Sequence, residues 1–250
     1  MRVPVSVIII NNRADTRLHN CLDSVSWADQ IVISDYQSSM DWSSFPSDQF
    51  TIISHSHNLS DFAQARNDAL QAATHDWVLF IDSDEVLEEN ADAKIAHLIT
   101  STVHQAYTLK RVDIFYDQVL RWGEVRKVHL IRLAKKSAIH YERSVHEQAK
   151  VTGPIKSSGL LLFHHAHPMI SHFLDSVNHY AQMEVALRKK INEPFSIWRL
   201  LTFPLGKFIY NFIIRGGFLD GWRGIMYATM MSMHSLLVSI YLYDHPTSSP

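Results

Sequence analysis

The chain has 250 residues, 46% of them hydrophobic, with 25 acidic against 23 basic side chains and a formal net charge of −2. That supports one large core, or one domain with an appendage, and the near-neutral balance argues against general nucleic-acid binding. One cysteine, Cys21, excludes an internal disulfide and fits a reducing compartment.

Residues 1–6 lead into a short apolar run at 6–10 that reads as a buried strand, too short for a secretory signal. Residues 15–25 carry Leu18, Cys21, Leu22 and Val25 at helical spacing. Residues 30–34 are a second strand ending at Asp35, and 50–54 a third. Ser60 is expected to cap a helix through residue 73, with Phe62, Ala63, Ala69, Leu70 and Ala73 on its inner side. Residues 77–81 are a fourth strand and 88–99 a helix. This β-α-β alternation predicts a doubly wound parallel sheet, whose ligands bind beyond the carboxyl ends of the strands.

The pattern changes after about residue 104. Residues 106–116, 128–133 and 159–163 read as strands without intervening helices, so this part is expected to be mixed or antiparallel. From residue 169 the chain reads as helix, with Phe173, Val177, Tyr180, Ala181 and Met183 on an amphipathic element. Pro194, Pro204 and Gly216-Gly217 are read as interruptions. Residues 225–243 are nineteen positions without formal charge, at the lower edge for a membrane span. Four hydroxyl residues and His234 favour an interfacial or protein-packed helix there. Residues 186–223 hold seven basic side chains against two acidic ones, a net +5 that leaves −7 elsewhere. Aromatic and aliphatic residues fill the gaps, as in a segment that meets anionic head groups.

Asp82-Ser83-Asp84 closes the apolar run Trp77-Val78-Leu79-Phe80-Ile81. Continued strand geometry would point both carboxylates to one face, where hard oxygen ligands suit Mg²⁺ or Mn²⁺ and phosphate. Asp35 lies across the same expected crevice, placed to accept a hydrogen bond from a base or ribose, or to serve as an ordinary turn residue. Arg66, on the preceding helix, is placed either to reach phosphate or to stand solvated.

Phe62-Ala63-Gln64-Ala65-Arg66-Asn67-Asp68-Ala69-Leu70, followed by Asp76-Trp77-Val78-Leu79-Phe80-Ile81-Asp82-Ser83-Asp84-Glu85, resembles the family 2 glycosyltransferases of GT-A fold. Val5-Ser6-Val7-Ile8-Ile9-Ile10 and the stretch from Cys21 to Val32 resemble the same family. Ser144-Val145-His146-Glu147, Leu162-Phe163-His164, Phe195-Ser196-Ile197-Trp198-Arg199 and Gly217-Phe218-Leu219-Asp220-Gly221-Trp222-Arg223-Gly224 are similar to its lipopolysaccharide inner-core branch. The resemblance implies inverting transfer of a hexose, with glucose from UDP-glucose as the favoured donor, to a cell-envelope glycan or lipid-linked acceptor. It implies Glu147 as general base, with Glu124 and Asp113 in reserve. Asp82 and Asp84 would bind Mg²⁺ or Mn²⁺, with His164 as a further ligand or diphosphate contact. Asp35, Arg66 and Asp82 would hold the nucleotide. The His164-His165-x-His167 cluster also raises zinc, which the lack of cysteine partners disfavours.

Two departures stand out. Arg13-Ala14-Asp15 replaces the Asn-Glu-Glu that relatives carry after the first strand. Asp35-Tyr36-Gln37-Ser38-Ser39-Met40-Asp41 lacks the glycine of the family loop, which must then turn without easy access to positive φ. The expectation is an α/β GT-A domain over 1–168 and a helical, membrane-associated region over 169–250, peripheral on the cytoplasmic face of the membrane. A non-catalytic GT-A binding or assembly protein is the alternative. A nucleotidyltransferase ranks last, because Asn11-Asn12-Arg13-Ala14 contains no glycine.

Overall fold

The structure is a computed structural model that describes residues 2–12, 14–143, 147–167 and 170–244. In chain order the elements are β1 (Val3–Asn11), α1 (Thr16–Ser24), β2 (Ala28–Tyr36), β3 (Phe50–His55), α2 (Phe62–Gln71), β4 (Trp77–Asp82), β5 (Glu85–Leu87) and α3 (Ala91–Leu98). There follow β6 (Ala106–Phe115), β7 (Gln118–Val119), β8 (His129–Lys135), β9 (Ile139–Glu142), β10 (Gln148–Val151) and β11 (Ile155–His167). Helices α4 (Ile170–Lys190), α5 (Ile197–Ile209) and α6 (Trp222–Asp244) complete the chain.

The main sheet runs β3-β2-β1-β4-β8-β6-β11-β5, with β7 paired to β6. β3, β2, β1 and β4 are parallel, while β4–β8, β8–β6 and β5–β11 pair antiparallel. This is the expected GT-A-type α/β fold with a mixed sheet. Alternation along β1 explains its continuous apolar run. Val5, Val7 and Ile9 face the cluster holding Leu18, Ile95 and Leu79, while Ile8 and Ile10 face the one holding Ala65, Leu70 and Phe80. Both faces are covered, so each buried aliphatic side chain contributes about 1.5–3 kcal/mol.

Contacts divide the chain into two compact units, Met1–Arg111 with His129–His165, and Val112–Val128 with Ala166–Pro250. Residues 112–128 therefore belong with the C-terminal helices, where a single break at 168/169 had been expected. The cause is a small apolar cluster, in which Phe115, Leu120 and Val125 pack with Phe173, Val177 and Met230. Asp220 adds to it by accepting the N–H groups of Arg121 and Trp122 at 3.1 and 2.9 Å.

Several local expectations shift. Asp61, not Ser60, caps α2, its carboxylate accepting the Gln64 N–H at 2.9 Å. The helix expected from residue 88 begins at Ala91, because β5 precedes it and Asn90 is left-handed at φ 59°. Pro204 lies inside α5 and does not interrupt it, and its carbonyl accepts the Ser232 hydroxyl at 2.7 Å. Gly216, left-handed at φ 74°, does end the π-helical turn Tyr210–Ile214.

Candidate active site

Strand register brings the first carboxylates together. Asn11 of β1 pairs with Asp35 of β2, and its neighbour Ile10 pairs with Asp82 of β4. Both aspartates thus stand at carboxyl ends of parallel strands, the position where such sheets bind ligands. Asp35 is buried, accepting the Asn11 amide at 2.7 Å on Oδ1 and the Trp42 indole N–H at 3.1 Å on Oδ2. Beyond it, Tyr36 stacks on His55 with ring centroids 4.1 Å apart. The loop makes its turn without glycine by placing Gln37 and Ser39 at φ 55° and 61°. Each such residue costs about 1–2 kcal/mol.

Asp82 is the hub of a charge chain in which Arg66, Arg132 and Glu85 are buried. Arg66 of α2, 1% exposed, donates to Asp82 Oδ1 at 2.5 Å and, through Nη2 and Nε, to Glu147 Oε1 at 3.1 and 3.3 Å. Arg132 of β8 donates to Asp82 Oδ2 at 2.6 Å and to Glu85 Oε1 at 2.8 Å. Glu85, 0% exposed, also accepts the Asp82 N–H on Oε2 at 2.9 Å. The order is Glu147–Arg66–Asp82–Arg132–Glu85, three carboxylates on two guanidinium groups.

The environments push the two central carboxylates apart. Burial alone would raise the Asp82 carboxyl, but Arg132 and Arg66 outweigh it and hold it far below the usual range. Burial pushes the Glu85 carboxyl up, and the Asp82 charge adds to the rise against the pull of Arg132. Beneath the Arg66 guanidinium lie the rings of Phe80 and Tyr141, at 5.9 and 5.3 Å. Burial pushes the Tyr141 phenol up to about 12. Among the described residues, Arg66 Nη1, Arg132 Nε and Tyr141 Oη are buried without a hydrogen-bond partner. Leaving such a group unpaired costs about 1–3 kcal/mol.

Asp84 behaves differently from Asp82. β4 ends at Asp82, so Ser83-Asp84 forms a turn and strand alternation no longer places the two carboxylates on one face. Asp84 faces β11, where its carbonyl accepts the His165 N–H at 2.8 Å and its Oδ1 lies 3.8 Å from His164 Nε2. Glu147 is set by the β9–β10 hairpin, which Asn67 ties to α2 through two hydrogen bonds of 2.9 Å to the Tyr141 backbone.

The structure therefore gathers Asp35, Arg66, Asp82 and Glu147, and pairs Asp84 with His164. Glu124 and Asp113 belong to the other unit, where Glu124 takes Lys207 at 2.6 Å. Arg13, the Ser144-Val145-His146 portion of its motif and the side chain of His167 lie outside the described residues. Sequence reading gave no role to Arg132 or Glu85. The available signal was a lone cation within the otherwise apolar strand Leu130-Ile131-Arg132-Leu133-Ala134.

For a divalent cation the donor chemistry fits in part. Both Asp82 oxygens carry guanidinium hydrogen bonds, which leaves the expected Asp82 coordination unsupported in this arrangement. Asp84 and His164 bring one carboxylate and one imidazole within 3.8 Å of each other; the carboxylate suits Mg²⁺ or Mn²⁺, while the imidazole suits softer transition metals better. Among the described residues, no three His, Cys, Asp or Glu side chains form a metal cluster.

The model of the family described as "Glycosyl transferase family 2" matches residues 6–158. A TPR repeat-containing protein of Synechococcus elongatus is 28% identical over 142 residues, covering 56% of this chain and 34% of its own length. The chain thus spans about a third of that curated relative. Among solved structures, S. aureus TarS 1-349 in complex with UDP-GlcNAc aligns at 15% identity over 98% of this chain and 92% of that one, with a TM-score of 0.48. A longer S. aureus TarS structure aligns at 15% identity over 82% of this chain and 45% of its own, with a TM-score of 0.43.

Proposed function

The chain belongs to glycosyl transferase family 2, and from that premise we propose that it is an inverting hexosyltransferase. It moves a sugar from a nucleotide-sugar donor to a hydroxyl of a cell-envelope glycan or lipid-linked acceptor. UDP-glucose and a lipopolysaccharide-core acceptor follow from the resemblance of its later motifs. Its place is the cytoplasmic face of the membrane.

The observation that carries this reading is the chain Glu147–Arg66–Asp82–Arg132–Glu85 at the end of β4, beside Asp35. Asp35 holds the base or ribose of the donor. Arg66, whose Nη1 has no partner among the described residues, supplies cationic charge for the diphosphate, with Asp82 fixing its position. Asp84 and His164 would hold Mg²⁺ or Mn²⁺, which would neutralise charge on the leaving diphosphate. Glu147 is the general base, and both Arg66 hydrogen bonds fall on its Oε1. Its Oε2 takes the acceptor proton as the hydroxyl oxygen bonds to the anomeric carbon. The bond from that carbon to the phosphate oxygen breaks on the opposite side, and its electron pair leaves with the nucleoside diphosphate.

The test is metal-dependent release of UDP from UDP-glucose by the full chain, abolished in Asp84→Ala. No turnover with any nucleotide sugar, together with no nucleotide binding by calorimetry, overturns the proposal. Nucleotide binding without turnover identifies instead a non-catalytic relative that kept the fold.

A further inference from the structure

The C-terminal unit exposes an apolar face that its own packing does not use. No residue of α5 is buried. Trp198, Leu201 and Leu205 recur at i, i+3 and i+7 along it, 74%, 61% and 61% exposed. Ile213, Ile214 and Phe218 extend the run, each more than half exposed. Scattered exposed apolar side chains are ordinary, but a contiguous run of this kind marks a surface that meets something.

Charge identifies the partner. The face lies within residues 186–223, which carry a net +5 in a chain of net −2. Arg199, Lys207 and Arg215 are interleaved with the apolar side chains; Arg199 is ion-paired with Glu193 and Lys207 with Glu124, and the Arg199 and Arg215 guanidinium groups lie over the Phe203 and Tyr210 rings at 5.2 and 5.1 Å. A second copy would bring like charge against like. An anionic bilayer surface offers acyl chains to the aliphatic residues, head groups to the cations and a boundary zone to Trp198.

The other candidate for membrane contact, α6, is long and apolar enough to cross a bilayer. In the structure 28% of its apolar window is buried, and that part packs on neighbouring helices. Val238 and Leu242 pack with Ala181 and Val185 of α4, and Met230 with Phe173 and Val177. On another side Ser232 bonds to Pro204 of α5. A helix with partners on two elements acts here as the support on which α5 rests.

We propose that α5 and the following turn, residues 197–218, form an in-plane docking face that inserts Trp198, Leu201, Leu205, Ile213 and Ile214 into the head-group region of an anionic bilayer, with α6 as its protein-packed support. The proposal makes specific the membrane placement given above and is independent of the transfer chemistry, since vesicle binding is read without nucleotide.

The test uses the full chain and sedimentation with large vesicles of phosphatidylcholine alone or with about 30% phosphatidylglycerol. Binding is expected to be at least about tenfold tighter on the anionic vesicles. Leu201→Asp with Leu205→Asp is expected to weaken it at least about tenfold while circular dichroism and melting stay unchanged, both positions being exposed. High-pH carbonate is expected to release the bound protein. The proposal is overturned if the wild-type chain ignores both vesicle types, or if the double variant binds undiminished. It is overturned equally if carbonate fails to extract the protein, which means α6 spans. A lipid-free dimer broken by the double substitution also overturns it, by showing that a second copy covers the face.

Discussion

Replacing Arg132 with methionine removes a cation but keeps an unbranched side chain, and its consequence follows from the distances. Arg132 serves Asp82 at 2.6 Å and Glu85 at 2.8 Å. Asp82 keeps Arg66 on its other oxygen and, with a side chain 35% exposed, is partly screened by water. Glu85, 0% exposed, keeps the Asp82 N–H and the electrostatic pull of His164. Stripping one partner from a buried ion pair costs about 3–5 kcal/mol, and here the cost falls mainly on Glu85. For a chain of this size that lowers the melting temperature by roughly 6–20 °C. Adding Glu85→Gln removes the stranded charge, so the double variant is expected to recover at least about 1.5 kcal/mol of the loss. The pH dependence has a definite sign. Burial already holds the Glu85 carboxyl above its ordinary value, and loss of Arg132 raises it further. A carboxyl with a raised folded pKa carries no penalty below its unfolded value of about 4.3 and its full penalty above the folded one. The R132M deficit is therefore largest near pH 8 and shrinks as pH falls toward 5. Asp82 has the opposite sign, because its depressed carboxyl contributes stability above about pH 4 that only stronger acid removes. Denaturant unfolding of wild type, both single variants and the double variant from pH 5 to 8 measures all of this. A deficit under about 1 kcal/mol, independent of pH or strictly additive with Glu85→Gln, refutes the charge-chain reasoning.

Glu147→Gln is expected to lower turnover about 10²–10⁴-fold while nucleotide affinity by calorimetry changes little. Turnover within tenfold of wild type removes Glu147 from the general-base role. Asp84→Asn and His164→Ala are each expected to raise, at least about tenfold, the Mn²⁺ concentration that restores activity after chelation. Unchanged metal titrations place the cation elsewhere. Gly224→Ala sets a methyl group against the Gly217 carbonyl and 3.3 Å from Asp220 Cβ. It is expected to cost about 1–3 kcal/mol by overpacking, and a melting curve identical to wild type shows that the contact relaxes freely.

The central parallel strands were legible because they are buried on both faces and so read as nearly continuous apolar runs, as Val5 to Ile10 and Trp77 to Ile81 do. The hairpin of β9 and β10 was not, because four-residue strands such as Ile139-His140-Tyr141-Glu142 look like any polar loop until they pair. Asp35, Arg66 and Asp82 stand out in the sequence by their place at strand ends and on the preceding helix, and Glu147 by resemblance, but their contacts do not. Arg66 and Glu147 are 81 residues apart and Arg132 and Asp82 are 50 apart, so no local pattern records them. The same limit affected Asp84. The i, i+2 rule holds only while the strand continues, and this strand stops at the first of the two carboxylates.

That stop divides the labour of the site. Asp82, the last strand residue, is held where α2 and β8 each deliver a buried arginine, and its oxygens are occupied by them. Asp84, carried past the strand by the turn, faces His164 instead. Three carboxylates on two guanidinium groups leave the charge chain with one excess negative charge, and Asp35 and Asp84 add to the acidic surroundings. A diphosphate approaching such a site gains from Arg66 but is opposed by the field as a whole. On the proposed reading the cation is therefore required for donor binding as well as for departure of the leaving group. Chelation should then weaken nucleotide affinity itself, a distinction that calorimetry with and without Mn²⁺ draws directly.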